Sequence, residues 1–119
     1  MGRLVKILVV DDEVAAAASL GNALRWLGHV PVVAVHPHDA LDLLALDVDA
    51  VVTDIEMPEM NGVELAREIR GRNAEMPIAF CTGSDPSDGV AAEAASIGPV
   101  YPKTWTLASV KELIEALGK

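Results

Sequence analysis

One feature constrains this chain more than any other. Short runs that are apolar throughout alternate with longer segments of helical period. The runs are 6–10 (KILVV), 30–35 (VPVVAV), 50–53 (AVVT) and 77–81 (PIAFC), with a shorter one at Val100-Tyr101. A strand exposed on one face alternates apolar with polar, so a wholly apolar strand is buried on both faces. That requires a parallel sheet covered by helices on each side. The intervening segments supply those helices, at 14–27, 39–45, 63–72, 88–97 and 107–117. In the first, Leu20, Leu24 and Leu27 share a face and Gly28 closes it. In the third, Val63, Ala66 and Ile69 face inward while Arg67, Arg70 and Arg72 face out, the late arginines suiting a helix C-terminus. Asp85 and Asp88 are expected to help start the fourth, and Thr106 to cap the fifth, which Gly118 stops. Pro31 marks the second strand as an edge strand. The fold class predicted is α/β, a doubly wound (βα)5 sandwich.

Composition narrows the function. The chain has 119 residues, 51% apolar, which fits one domain and is too apolar for disorder. Its 18 acidic and 9 basic side chains leave a formal charge of −9. Unaided nucleic-acid binding needs a basic footprint, and docking on anionic membranes needs one too. No apolar run approaches the roughly 18 residues of a membrane span, and no signal-peptide core precedes Asp11. Cys81 is the only cysteine, so no internal disulfide forms. A cytoplasmic location is expected.

The polar residues fall where such a sheet places its chemistry. Asp11 and Asp12 follow the first strand, Asp54 the third, Thr82 the fourth and Lys103 the fifth. Ligands of open parallel sheets bind outside the carboxyl ends of the strands, at the topological switch point. Three carboxylates gathered there repel one another unless a cation sits among them. An all-oxygen set with few protein ligands suits Mg²⁺, which keeps waters and favours a phosphate partner. A carboxylate in that setting can serve as a nucleophile and become an aspartyl phosphate.

The pieces ILVVDDE, AVVTDIEMPEMNGVEL, PIAFCTG and PKTW, in that order, resemble the receiver domain of two-component response regulators over essentially the whole chain, 1–119. The resemblance implies a CheY-like, flavodoxin-like sandwich with a five-stranded parallel sheet of order 2-1-3-4-5. It implies that Asp54 is the phosphoacceptor, charged by a histidine kinase or a histidine phosphotransfer protein. Asp11 and Asp12 match the acidic pair that binds Mg²⁺ with Asp54, and the Glu56 carbonyl matches a further ligand. Thr82 matches the switch hydroxyl, Gly83 the small residue beside it, and Lys103 the lysine that pairs with Asp54 and then with the phosphate. Met57, Pro58 and Gly62 match the loop at the mouth of the site. The implied output surface is the fourth helix, fifth strand and fifth helix, with Val100, Tyr101 and Trp105, which would bind an output domain or a second copy.

Three departures stand out. The family usually places a proline after its lysine in a cis bond, where this chain has Thr104. A cis bond before a non-proline costs about 2.5–4 kcal/mol, so a trans bond with a shifted loop competes with a strained cis one. The family often carries an aromatic switch residue where this chain has Val100. Tyr101 comes one step later, and alternation sends it to the opposite face, inward. Pro99 and the alanine-rich preceding helix make the output face unusual as well.

Other readings share parts of the pattern. A Mg²⁺-dependent phosphatase with an aspartate nucleophile places a second acid two residues on, where Glu56 stands, but the chain has no cap domain for a substrate. A receiver fold that binds partners without switching fits the missing proline and the displaced Tyr101. A flavodoxin lacks support, because there is no Gly-rich phosphate loop. His36 and His38 are read as exposed loop histidines without a third metal ligand, Cys81 as an inert core thiol, and Trp26 as partly buried between helix and sheet.

Overall fold

The computed structural model describes residues 4–84 and 89–119. Strands and helices alternate in it as β1 (Lys6–Val10), α1 (Val14–Trp26), β2 (Val30–Ala34), α2 (Pro37–Leu43), a 3₁₀ turn (Leu44–Leu46), β3 (Ala50–Asp54), α3 (Gly62–Arg72), β4 (Ile78–Thr82), α4 (Gly89–Ala95), β5 (Val100–Pro102) and α5 (Leu107–Ala116). All pairings are parallel, and the strand order is β2-β1-β3-β4-β5. Asp85 and Asp88, expected to start the fourth helix, lie outside the described residues.

The two-sided burial of the strands explains their sequences. Leu8, Val10, Val51, Ile78 and Phe80 pack with α2, α3 and α4. Their immediate neighbours Ile7, Val9, Ala50, Val52, Ala79 and Cys81 pack with α1 and α5. Consecutive strand residues point to opposite faces, so each needs an apolar side chain. Right-handed crossovers dictate which helix covers which face. The chain steps from β1 outward to β2 through α1, then returns across β1 to β3 through α2. The direction reverses, so α2 lies opposite α1. The steps to β4 and β5 keep the second direction, and α3 and α4 stay on the α2 face. The reversal leaves a crevice between the carboxyl ends of β1 and β3.

Local chemistry sets most boundaries. Asn61 and Glu64 form a reciprocal capping box at α3, with bonds of 2.9 and 3.0 Å. The Thr106 hydroxyl accepts from the Ser109 amide and caps α5, as expected. Most boundaries fall within one or two residues of the reading above, and two of the shifts have a local cause. α2 begins at Pro37, two residues early, because proline suits the first helical position and His36 caps it. β5 extends to Pro102, whose missing amide is tolerated on an edge strand. The Lys103 amide then donates to the Thr82 carbonyl at 3.1 Å, which continues the ladder by one step.

Trp26 corrects an expectation. It is 78% exposed, not packed between helix and sheet. Two residues beyond buried Leu24, it sits about 200° further around the helix, on the solvent side. Trp26→Ala is expected to change unfolding free energy by less than about 0.5 kcal/mol in urea melts.

Gly62 is a steric requirement. A Cβ there would fall on the Asp54 carbonyl oxygen, because the start of α3 presses against the end of β3. The Gly62 amide donates to the Ile55 carbonyl at 2.8 Å and pins that approach. Gly62→Ala forces the backbone apart and is expected to destabilise by about 1–3 kcal/mol in the same melts.

Candidate functional site

Asp11 sits just past β1, Asp54 closes β3, Thr82 closes β4 and Lys103 follows β5. The sheet brings all four to one edge. Asp11, Asp54 and Thr82 are among the few buried polar residues, 3%, 1% and 1% exposed. Lys103 ties them together. Its ammonium donates to Asp54 Oδ2 at 3.0 Å, Asp11 Oδ1 at 3.1 Å and Glu13 Oε1 at 2.7 Å. The backbone holds the acids in place. The Glu13 amide donates to Asp11 Oδ1 at 3.0 Å and the Glu56 amide to Asp54 Oδ1 at 3.3 Å.

The electrostatics follow from crowding. The Asp54 carboxyl is pushed up to about 8: burial raises it most, the Lys103 ammonium pulls against this, and the Asp11 charge adds to the rise. Burial alone would lower Lys103, but its bonds to Glu13, Asp54 and Asp11 outweigh that and hold it above the usual lysine range. One ammonium thus faces three carboxyl groups, and ionising all three leaves an excess of negative charge.

Ligand oxygens of Asp11, Asp12 and Asp54 all lie within 4.8 Å of one another. An oxygen-only set of this spacing, with Asp12 open to solvent, fits a small hard cation. A cleft of about 230 Å³ opens over it, lined by Asp12, Glu13, Asp54, Glu56, Gly83, Ser84 and Lys103. A larger hollow of about 560 Å³ on the outer side of α3 is open to solvent, lined by Glu64, Arg67, Glu68, Gly71 and Arg72, and shares no residue with the acidic cluster.

A family model for the response regulator receiver domain matches residues 7–115. The chain belongs to that family. The receiver domain is 37% identical over 115 residues to response regulator MprA of Mycolicibacterium vanbaalenii, covering 95% of this chain and 50% of that protein. It is 36% identical to MprA of Mycobacterium tuberculosis, with the same coverage. The chain therefore spans about half the length of these curated relatives. Among solved structures it is similar to TrrA of Thermotoga maritima in complex with Mg²⁺-BeF, with 30% identity, a TM-score of 0.81, and coverage of 96% of this chain and 99% of that one. A CheY-like receiver domain protein from Methanospirillum hungatei superimposes with a TM-score of 0.84 at 25% identity, covering 98% and 95%.

The departures from the family pattern have structural outcomes. Among the described residues no peptide bond is cis, so Lys103–Thr104 is trans. Val100 packs against the α2–α4 side and Tyr101 against the α1–α5 side, the opposite placement that alternation predicts. Tyr101 is half-buried, its ring centroid 6.0 Å from that of Trp105. Gly83 has open space where a Cβ would stand. Cys81 is inert: burial raises its thiol well above the usual range, and the Asp11 and Asp54 charges add to this.

The receiver domain also holds two contacts that sequence reasoning missed. Glu59 lies beside the histidine pair, its Oε2 3.0 Å from His36 Nε2 and 3.9 Å from His38 Nε2. The two imidazoles are stacked, 27° from parallel with centroids 5.3 Å apart. The second contact is at Glu56, whose Oε1 accepts the Thr82 hydroxyl at 2.6 Å. The spacing of Glu56 from Asp54 had pointed to a phosphatase acid. Burial pushes its carboxyl up, but the hydrogen bond from Thr82 and further bonds outweigh this and lower it. A lowered carboxyl is the wrong adjustment for a general acid.

Proposed function

We propose that residues 1–119 form one receiver domain in which Asp54 accepts a phosphoryl group from the phosphohistidine of a histidine kinase or phosphotransfer protein, in a Mg²⁺-dependent reaction in the cytoplasm. The observation that carries this is the convergence of buried Asp54 with Asp11, Asp12 and Lys103 under an open cleft. An Asp54 carboxylate oxygen attacks phosphorus, the phosphorus–nitrogen bond breaks, and the electron pair stays on the imidazole. Asp11, Asp12, Asp54 and the Glu56 carbonyl would hold the metal. Bound there, Mg²⁺ supplies charge neutralisation for the phosphoryl oxygens. Lys103 gives up its bond to Asp54 and pairs with a phosphoryl oxygen. Thr82 turns its hydroxyl to another. Hydrolysis of the acyl phosphate by the same site resets the domain.

The phosphoryl group adds about 1.5–2 negative charges beside Thr82 and Lys103. Lys103 follows β5 directly, so its shift is transmitted to Tyr101 and Trp105. The α4–β5–α5 face with Val100 would then bind a second copy or an output domain. Contacts with nucleic acid would belong to such a domain, since this one carries a charge of −9. Acetyl phosphate or phosphoramidate with Mg²⁺ is expected to raise the intact mass by one phosphoryl group, and EDTA to prevent it. An unchanged mass with both donors contradicts the proposal.

A further inference from the structure

Thr82 has a single hydroxyl proton, and it is already committed. Its Oγ1 donates to Glu56 Oε1 at 2.6 Å and accepts from the Ser84 amide at 3.0 Å. A hydroxyl offers one donor, so Thr82 cannot serve a phosphoryl oxygen on Asp54 until it leaves Glu56. The bond is short and charge-assisted, the strong class of hydrogen bond. Its two ends differ in freedom. Thr82 is buried in β4, whereas Glu56 is an exposed residue in the loop after β3, two positions from Asp54. Glu56 can therefore release its partner and remain solvated.

We propose that Glu56 is a positioning residue that latches the Thr82 hydroxyl in the resting arrangement and sets how readily the domain switches. The proposal rests on Asp54 being the phosphoacceptor. Phosphorylation adds negative charge close to the Glu56 carboxylate, so the event that recruits Thr82 also repels its latch. By linkage, a contact made only in the resting state must weaken binding of anything that selects the switched state. The Glu56 carboxylate thus acts on the switch through Thr82, while its backbone amide is what meets Asp54.

A double-mutant cycle separates this role from simple charge repulsion, because both remove affinity for an anion but only the latch works through Thr82. The probe is beryllofluoride titrated at saturating Mg²⁺, followed by amide NMR shifts. The variants are Glu56→Ala, Thr82→Val and the pair. Glu56 is exposed and valine is isosteric with threonine, so folding is checked from the same spectra. Glu56→Ala is expected to tighten beryllofluoride binding about tenfold, a typical coupling size. In the Thr82→Val background the same change is expected to shift binding by no more than about twofold. Equal tightening in both backgrounds reduces Glu56 to a repelling charge and overturns the latch, as does no tightening in either. If the unsubstituted domain binds no beryllofluoride with Mg²⁺, the phosphoacceptor reading fails first and the latch falls with it.

Discussion

Asp54→Asn is expected to do two opposite things: abolish phosphorylation and stabilise the metal-free fold. The first effect follows because the amide lacks the nucleophilic oxygen pair. The second follows from the cost of the native residue. Asp54 is 1% exposed, and its carboxyl is raised from 3.8 to about 8, chiefly by burial. A carboxyl with a higher folded than unfolded pKa binds more protons when folded. Between pH 3.8 and about 8 the domain therefore loses stability as pH rises. Asparagine removes that dependence along with the charge. Lys103 keeps Asp11 and Glu13 as partners, so losing the Asp54 charge does not strand it, and since one pKa unit corresponds to about 1.4 kcal/mol a gain of at least that order is expected near pH 8. Urea melts in EDTA at pH 5, 7 and 9 measure it. The unsubstituted domain should weaken from pH 5 to 9, and the variant should follow a flatter course. Parallel pH profiles would show that Asp54 is not the strained group. A fold that retains such a residue bears a stability cost at its functional site.

Mg²⁺ should reverse the same cost. A ligand that binds only the folded state stabilises by mass action, about 2.7 kcal/mol at one hundred times its dissociation constant. Saturating Mg²⁺ is expected to raise the melting temperature of the native domain. Asp12→Ala should remove nearly all of the rise, since Asp12 is the solvent-facing member of the acidic set. Near pH 7 much of Asp54 is protonated without metal, so binding must expel a proton. Calorimetric titrations in buffers of different ionisation enthalpy should report roughly one proton released, falling toward none above pH 9. An unchanged melting temperature, or binding that ignores pH, would place the ion elsewhere.

The fold was legible in the sequence because one physical rule governed its clearest signals. Two-sided burial makes every strand residue apolar, and chain direction then fixes the helices to their faces. Strand ends were legible for the same reason: Asp11, Asp54 and Thr82 stand where an apolar run stops. Signals failed where tertiary position decides. Trp26 lies on the solvent side of α1 through its phase on the helix, where partial burial between helix and sheet is the expectation. The bond between Glu56 and Thr82 joins the loop after β3 to the end of β4 through one rotamer. The approach of Glu59 to His36 depends on a loop in which Glu59 takes a left-handed backbone, φ 73°. Neither contact has a spacing that periodicity could reveal. The family pattern places Gly62 in the loop at the mouth of the site, and the physical cause of the glycine is the Asp54 carbonyl pressed against it.

In the proposed reaction one carboxylate, Asp54, carries the phosphoryl group. Borohydride reduction of the acyl phosphate formed from phosphoramidate and Mg²⁺, followed by peptide mapping, tests it most directly. Reduction confined to residue 54, and absent from Asp54→Asn, is the predicted result. Reduction at Asp11 or Asp12, or a phosphoryl group stable to borohydride, would contradict it.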